Sequence, residues 1–241
     1  MQIKSEGLVF RTTKYGDDGL IVDVLTRASG MVSFMVKRSR SPRAAVRHTL
    51  FQPLACVELT WDCRKAGALQ KPTSARCVQG FIDLHAHPYK ASMALFLSEF
   101  LHYAVRVETP PGLLYDYLLG SLQWLDAAPD RFSNFHLVFL MRLARFLGFS
   151  PNLDTFAPGR SFDLRAGVFV DGRPDHPDFV PPSDAARLPL LMRMNYGTMH
   201  LFRFTGEERN RTLTYINAYY RQHLPSFPEL KSLDVLRQVF R

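Results

Sequence analysis

The first third of the chain has the polar and apolar pattern of short β-strands. Runs rich in β-branched and aromatic residues are separated there by Gly, Asp and Ser. The pattern predicts five strands, at residues 7–13, 20–26, 31–37, 54–61 and 73–78. Five short strands in so short a segment favour a small β-barrel of the OB type, because a closed sheet buries its own interior.

From Pro88 onward the apolar positions recur at steps of three and four, as in Met93, Phe96, Leu97 and Phe100. This period is typical of amphipathic helices. It predicts a helix beginning at Pro88 and two more at 113–127 and 132–147, the last ending before Gly148. The change of period predicts a barrel domain at 1–80 and a helical domain at 81–241.

The segment 150–182 differs from its surroundings because it contains six prolines and several glycines. Proline removes a helical hydrogen bond, so we expect an irregular loop or a small hairpin here. Helices are predicted to resume at 183–195, with Ser183 as N-cap, at 206–223 and in the tail 227–241. The predicted fold is therefore α+β, with an N-terminal OB-fold β-barrel followed by an all-helical C-terminal domain that carries an irregular loop insertion.

The positive charge of the chain is concentrated in its first third. Residues 1–80 hold 13 Lys and Arg against 6 Asp and Glu, whereas residues 81–241 hold 17 against 16. An excess of this kind indicates a polyanionic partner for the predicted barrel.

A cationic run follows the third predicted strand, and residues 37–47 contain no acidic residue. Such a run can track a phosphate backbone, although a merely solvated loop has the same composition. Aromatic residues lie in the same strands, and an exposed ring can stack on a base while the others belong to the core. The predicted DNA-binding residues are Arg11, Lys14, Phe34, Lys37, Arg38, Arg40, Arg43 and Arg47.

Motifs for catalysis are missing from the sequence, which has no GxxxxGK, GxGxxG, GxSxG or HExxH pattern. We therefore expect a non-enzymatic protein without cofactor or metal. The sequence has no run of about 18 apolar residues, and Lys4 and Glu6 interrupt its first ten positions, so we expect it in the cytoplasm, at the nucleoid, and not in a membrane. Two alternatives remain open: a basic OB-fold protein that binds RNA, and a metal-dependent nuclease using Asp171, Asp175, His176 and Asp178. A third is an adaptor whose charge serves only acidic protein tails.

Several short motifs, in order along the chain, resemble those of the RecO family of bacterial DNA repair proteins. They are Glu6-Gly7-Leu8-Val9-Phe10-Arg11-Thr12, Tyr15-Gly16, Leu20-Ile21-Val22, Leu25-Thr26 through Gly30, Gln52-Pro53-Leu54, Leu147-Gly148-Phe149-Ser150-Pro151-Asn152-Leu153, Leu230-Lys231-Ser232 and Leu236-Arg237. The resemblance spans nearly the whole chain.

The resemblance implies a recombination mediator that binds single- and double-stranded DNA and anneals complementary strands. It also implies that the protein engages the C-terminal tail of the single-stranded DNA-binding protein SSB, binds RecR and helps to load RecA, without a nucleotide cofactor. Many members carry a four-cysteine zinc module after the motif matched by 147–153. Residues 154–170 here contain no cysteine or histidine, so no zinc site is expected.

The SSB tail ends in an apolar side chain beside a carboxylate, and a receiving site should pair an apolar notch with guanidinium groups. Arg142 and Arg145 lie three residues apart on the predicted helix 132–147 and are the candidates for this role. Two solvated arginines on an ordinary amphipathic helix would show the same spacing.

Overall fold

The computed structural model describes residues 1–38, 45–63, 65, 67–105 and 111–239. The N-terminal part is a five-stranded antiparallel sheet of order β3-β2-β1-β4-β5. Its strands are β1 (Gln2–Tyr15), β2 (Gly19–Thr26), β3 (Gly30–Lys37), β4 (Cys56–Asp62) and β5 (Pro72–Gln79). The five predicted strands are therefore confirmed, with β1 longer at both ends than the apolar run.

The inner face of this sheet forms a core, because apolar residues alternate with polar ones along its strands. Among the buried residues of the core are Val22, Val24, Phe34, Leu59 and Trp61. The rings of Phe34 and Trp61 meet edge to face, with centroids 5.2 Å apart. Sheet pairing alone leaves one edge at β3, and Gln70 adds two backbone hydrogen bonds there. Met35 N donates to its carbonyl at 2.8 Å, and its own N–H donates to Ser33 O at 2.9 Å.

Three helices follow the sheet: α1 (Asp83–Ala86), α2 (Pro88–Ala104) and α3 (Pro111–Ala127). The hydroxyl of Ser98 on α2 donates to Phe10 O of β1, and Tyr115 on α3 lies 3.5 Å from the thiol of Cys56 on β4. Residues Met1–Ala127 and Leu230–Leu236 form one compact unit, called the N-terminal unit below. A second compact unit, the C-terminal unit, contains Ala128–Glu229 and the chain from Arg237.

The C-terminal unit is not all helical, so that part of the predicted fold is wrong. Its helices are α4 (Phe135–Phe146), α5 (Pro182–Ala185), α6 (Leu188–Arg193) and α7 (Gly206–His223); the last helix, α8 (Ser232–Val239), crosses the division between the units. The segment predicted as an irregular loop or a small hairpin contains a three-stranded antiparallel sheet of order β7-β6-β8. In it β6 (Ser161–Asp163) and β7 (Val168–Val170) form a hairpin, and β8 (Phe179–Val180) pairs with β6.

This small sheet forms because its few apolar side chains reach a shared core. Phe162, Phe169 and Val180 are buried there with Ala185 of α5 and Tyr219 of α7. The helix predicted at 183–195 is instead divided into α5 and α6, since Pro189 in the first turn of α6 cannot donate the hydrogen bond of a continuous helix. The helix predicted at 206–223 has the same bounds in the structure.

Two 3-10 turns complete the described elements, at His48–Leu50 and Met199–Leu201. Gly148 follows α4 with φ +85°, the left-handed conformation that commonly ends a helix. Among the helices of the described residues, none is long and apolar enough to cross a bilayer.

Candidate nucleic-acid interface

The outer face of β1, β2 and β3 combines cations with partly exposed apolar groups. Cross-strand pairing places Arg11 beside Asp23 and Ser33, and further along it places Tyr15 beside Gly19 and Lys37. Thr13, Ile21 and Met35 form the row between them. Residues paired across neighbouring strands share a face. The face therefore runs from Arg11 at one end to Tyr15 and Lys37 at the other.

A β-bulge determines which residues of β1 reach this face. The register with β2 shifts between Val9 and Arg11, so Phe10 adds one residue to the strand. Val9 is fully buried on the inner side, and strict alternation would send Arg11 inward as well. With the bulge, Arg11 and Tyr15 point outward and are exposed.

The aromatic ring on this face is Tyr15, not Phe34. Phe34 was predicted to contact DNA, but its exposure is 0% and its ring packs on Trp61 in the core. It therefore has no free face on which a base could stack, and the prediction is wrong for this residue. Phe10 and Trp61 are buried too, whereas 54% of Tyr15 is exposed.

The predicted cations differ in how the structure places them. Lys14 and Lys37 lie at the ends of β1 and β3, and the backbone N–H of Arg38 donates to Asp18 O at 2.7 Å. Arg47 precedes the 3-10 turn at 48–50, outside the strand face. These four residues are exposed, and within the described part of the chain their side chains form no ion pair. Arg40 and Arg43 lie outside the described residues.

Asp17 and Asp18 lie in the exposed turn between β1 and β2, and the carbonyl of Asp18 accepts the hydrogen bond from Arg38 N. Elsewhere in the N-terminal unit some basic side chains are paired with a carboxylate. Glu58 pairs with Lys4 at 3.2 Å and with Arg76 at 2.7 Å. The hydrogen bonds from Arg76 are the main reason that the pKa of Glu58 falls to about 2.

Arg11 has a partner that the sequence did not reveal. Its Nη1 lies 3.0 Å from Nε2 of His102 on α2, 91 residues further along the chain. Nδ1 of His102 lies 3.5 Å from a carboxylate oxygen of Asp23, and the other oxygen of Asp23 accepts a 2.6 Å hydrogen bond from Ser33. The exposed Arg11 side chain therefore contacts a partly buried side chain, His102, through one of its guanidinium nitrogens.

The arginines predicted to hold the SSB tail both lie on α4 of the C-terminal unit. Arg142 donates to Met194 O at 3.4 Å, and its guanidinium carbon lies 5.7 Å from the centre of the Tyr196 ring. Arg145 is exposed, and Phe146 beside it is 40% exposed. The helix end thus presents cations next to apolar rings.

A cavity of about 40 Å³ lies inside the C-terminal unit, between the small sheet, α6 and α7. Its lining is mostly apolar and includes Met141, Phe162, Leu191 and Tyr219. The volume holds about one water molecule, far below the 300–1,000 Å³ of usual ligand pockets.

Two of the three acidic residues proposed for a nuclease, Asp171 and Asp178, are engaged by basic side chains. Asp171 accepts two hydrogen bonds of 2.9 Å from Arg160, and Asp178 pairs with Arg165 at 2.6 Å. His176 lies 3.3 Å from Asp163. The described residues contain no group of three His, Cys, Asp or Glu side chains that could hold a metal ion. This arrangement does not favour the nuclease alternative.

Comparison with protein families gives two matches that follow one another along the chain. Residues 1–81 match the family model described as "Recombination protein O N terminal". Residues 85–234 match the one described as "Recombination protein O C terminal".

Curated relatives extend the similarity over the full length. The "DNA repair protein RecO" of Phocaeicola vulgatus is 48% identical over 237 residues, covering 98% of both chains. The protein of the same description from Bacteroides fragilis is 47% identical over 238 residues, again covering 98% of both. That of Christiangramia forsetii is 30% identical over 242 residues and covers both chains completely.

Proposed function

The chain belongs to the RecO family of DNA repair proteins, and from this premise we propose that it binds single- and double-stranded DNA through the outer face of β1–β3 and anneals complementary strands. The observation that carries the proposal is that Arg11, Tyr15 and Lys37 are exposed on the same face of the sheet. Cations at both ends of the face suit a phosphate backbone, and the ring of Tyr15, in the same cross-strand row as Lys37, suits an unpaired base.

We propose further that the N-terminal sheet is a barrel of the OB type. Two backbone hydrogen bonds join β3 to Gln70, two residues before β5, in support of this proposal. The sheet core is complete without a layer of helices on its inner side. The division into a barrel at 1–80 and a second domain at 81–241 remains a prediction.

The DNA face fits a non-sequence-specific role better than base readout. Its cations contact phosphates regardless of sequence, and stacking on Tyr15 would contribute about 1 to 3 kcal/mol for any base. Nonspecific contacts of this kind let two strands slide until they pair. A basic OB-fold RNA-binding protein would use the same face, so the polymer is a question for experiment.

Annealing of two labelled complementary oligonucleotides, bare or coated with SSB, tests the activity and the partner together. We expect the protein to accelerate annealing in both cases, and replacement of Tyr15, Lys37 and Arg38 by Ala to slow it. A matched RNA pair serves as the comparison. Preference for RNA would favour the alternative, and no acceleration of either polymer would refute annealing. Strand cleavage with magnesium or manganese would instead indicate a nuclease.

The SSB tail is proposed to bind at the end of α4, where Arg145 and Phe146 are exposed and Arg142 lies against Tyr196. Guanidinium groups would hold the terminal carboxylate, and the neighbouring rings would cover the apolar side chain. A tail peptide should therefore bind wild type but not the double variant Arg142→Ala, Arg145→Ala, which should keep its affinity for bare DNA.

Calorimetric titration of the peptide and of DNA separates the two sites. Arg173→Ala is the matched control, because Arg173 is an exposed cation in the same unit that lies over Phe179. Unchanged peptide affinity in the double variant would move the site elsewhere. Equal loss of both ligands would show that DNA and the tail do not use separate surfaces.

Partnership with RecR and help in loading RecA on SSB-coated DNA complete the proposed role, together with a place at the nucleoid. The proposal includes no catalytic residue and no nucleotide cofactor. It rests on membership of the family, since no described residue has been assigned to either contact.

A further inference from the structure

The contact between Arg11 and His102 defines the protonation state of the imidazole. A guanidinium group only donates hydrogen bonds, so Nε2 of His102, 3.0 Å away, must accept. The ring is then neutral, with its hydrogen on Nδ1. That nitrogen faces Asp23 at 3.5 Å, and Ser33 holds the same carboxylate through its other oxygen. Three strands and α2 therefore contribute one side chain each to a single chain of contacts.

The helix that carries His102 is tied to the sheet next to Arg11. Ser98, one turn before His102 on α2, donates to Phe10 O at the bulge of β1. His102 and Asp23 expose only 19% and 16% of their side chains, whereas Arg11 is exposed. The acceptor is thus fixed in the protein, and the other N–H groups of Arg11 remain available on the outer face.

We propose that His102 is a positioning residue that holds the Arg11 side chain ready to contact a phosphate of the DNA. This inference rests on the proposed function of the β1–β3 face. A free arginine loses side-chain entropy when it binds, and a side chain already held in place loses less. His102 itself need not touch DNA.

Acid should break this arrangement, because protonation places an N–H on Nε2 opposite the N–H groups of Arg11. The charged groups that face His102 are Arg11 on β1, Asp23 on β2 and Glu99 on its own helix, and its ring also meets that of Tyr103. Burial lowers the pKa of His102, Asp23 opposes this, and Arg11 lowers it again. The contact is therefore kept at neutral pH and lost below the ordinary histidine range.

A double-mutant cycle of Arg11→Ala and His102→Ala, read as affinity for labelled oligothymidylate, tests the coupling. His102→Ala should weaken binding about two- to tenfold at neutral pH without changing the salt dependence, since no charge is lost. It should have no further effect once Arg11 is Ala. His102→Gln, whose amide oxygen can accept from Arg11, should restore much of the affinity.

Arg76→Ala is the matched control, since it also removes one exposed arginine but one that pairs with Glu58. In that background the effect of His102→Ala should persist in full. Equal weakening by His102→Ala with and without Arg11 would overturn the proposal, as would no weakening at all.

Nitrogen-15 NMR of the imidazole gives a readout that does not depend on DNA. We expect the Nδ1–H tautomer in wild type and a mixture of tautomers in Arg11→Ala. An Nε2–H tautomer in wild type would refute the contact itself. The expected tautomer together with no binding of any nucleic acid would confirm the contact but refute both the proposed function and the positioning role.

Discussion

His136 should make the C-terminal unit sensitive to acid. It lies on α4 with 1% of its surface exposed, and burial, with a further effect from Arg209, lowers its pKa to about 3. The unfolded chain takes up a proton as the pH falls through about 6.5, but the folded chain does so only near 3. The stability that depends on a neutral His136 is therefore fully present above about pH 6.5 and is progressively lost as the pH falls towards about 3.

The expected loss can be worked out from this shift. At pH 4.5 the unfolded histidine is charged and the folded one is still neutral, so the loss relative to pH 7 is about 2 to 3 kcal/mol. Carboxylates with lowered pKa, such as Glu58 and Asp163, add to the acid sensitivity of wild type. Comparison with His136→Phe, which keeps a ring but cannot be protonated, isolates the contribution of the histidine.

Hydrogen exchange of the α4 amides at both pH values is the suitable assay. Tryptophan fluorescence would miss the event, since Trp61 and Trp124 both lie in the N-terminal unit. The pH effect on exchange should be smaller by about 2 to 3 kcal/mol in His136→Phe. His200→Phe, at an exposed position of the same unit, should behave as wild type. An equal pH effect in wild type and His136→Phe would refute the reasoning.

Two further predictions concern stability of the C-terminal unit, measured as the urea midpoint. Gly167→Ala should lower the free energy of unfolding by about 1 to 2 kcal/mol, because its φ of +70° is unfavourable for alanine. The added Cβ should lower it further, because it would lie 3.0 Å from the Tyr219 hydroxyl. Gly172→Ala has the same kind of φ but open space, so equal costs would contradict the steric argument. Thr205→Ala should cost about 1 kcal/mol, because Thr205 and Glu208 form the capping box of α7; no loss would show that the cap is not needed.

The sequence predicted the positions of the strands and helices better than the burial and contacts of their side chains. All five strands of the N-terminal sheet follow from their β-branched runs, and α7 follows from its helical period. The exposure of individual rings could not be predicted from the sequence. The bulge at Phe10 reverses the alternation of β1, and pairing with β2 determines which face Phe34 lies on. Such effects depend on the partner strand, which a single strand does not reveal.

Short elements and distant contacts also escaped prediction. Strands of two or three residues, such as β8, are too short to show a period, so the sequence predicted only an irregular loop or a small hairpin at 150–182. Their stability comes from residues far along the chain, including Tyr219. The same holds for Arg11, whose charge marked it as a candidate while its partner His102 lies 91 residues away.

The salt dependence of single-stranded DNA binding tests most directly the claim that the N-terminal unit binds a phosphate backbone. Each phosphate contact on a single strand contributes about 0.7 to the slope of log affinity against log salt. Lys37→Ala combined with Arg38→Ala should therefore reduce the slope by about 1.4 and weaken binding at low salt. An unchanged slope in this variant would contradict the account.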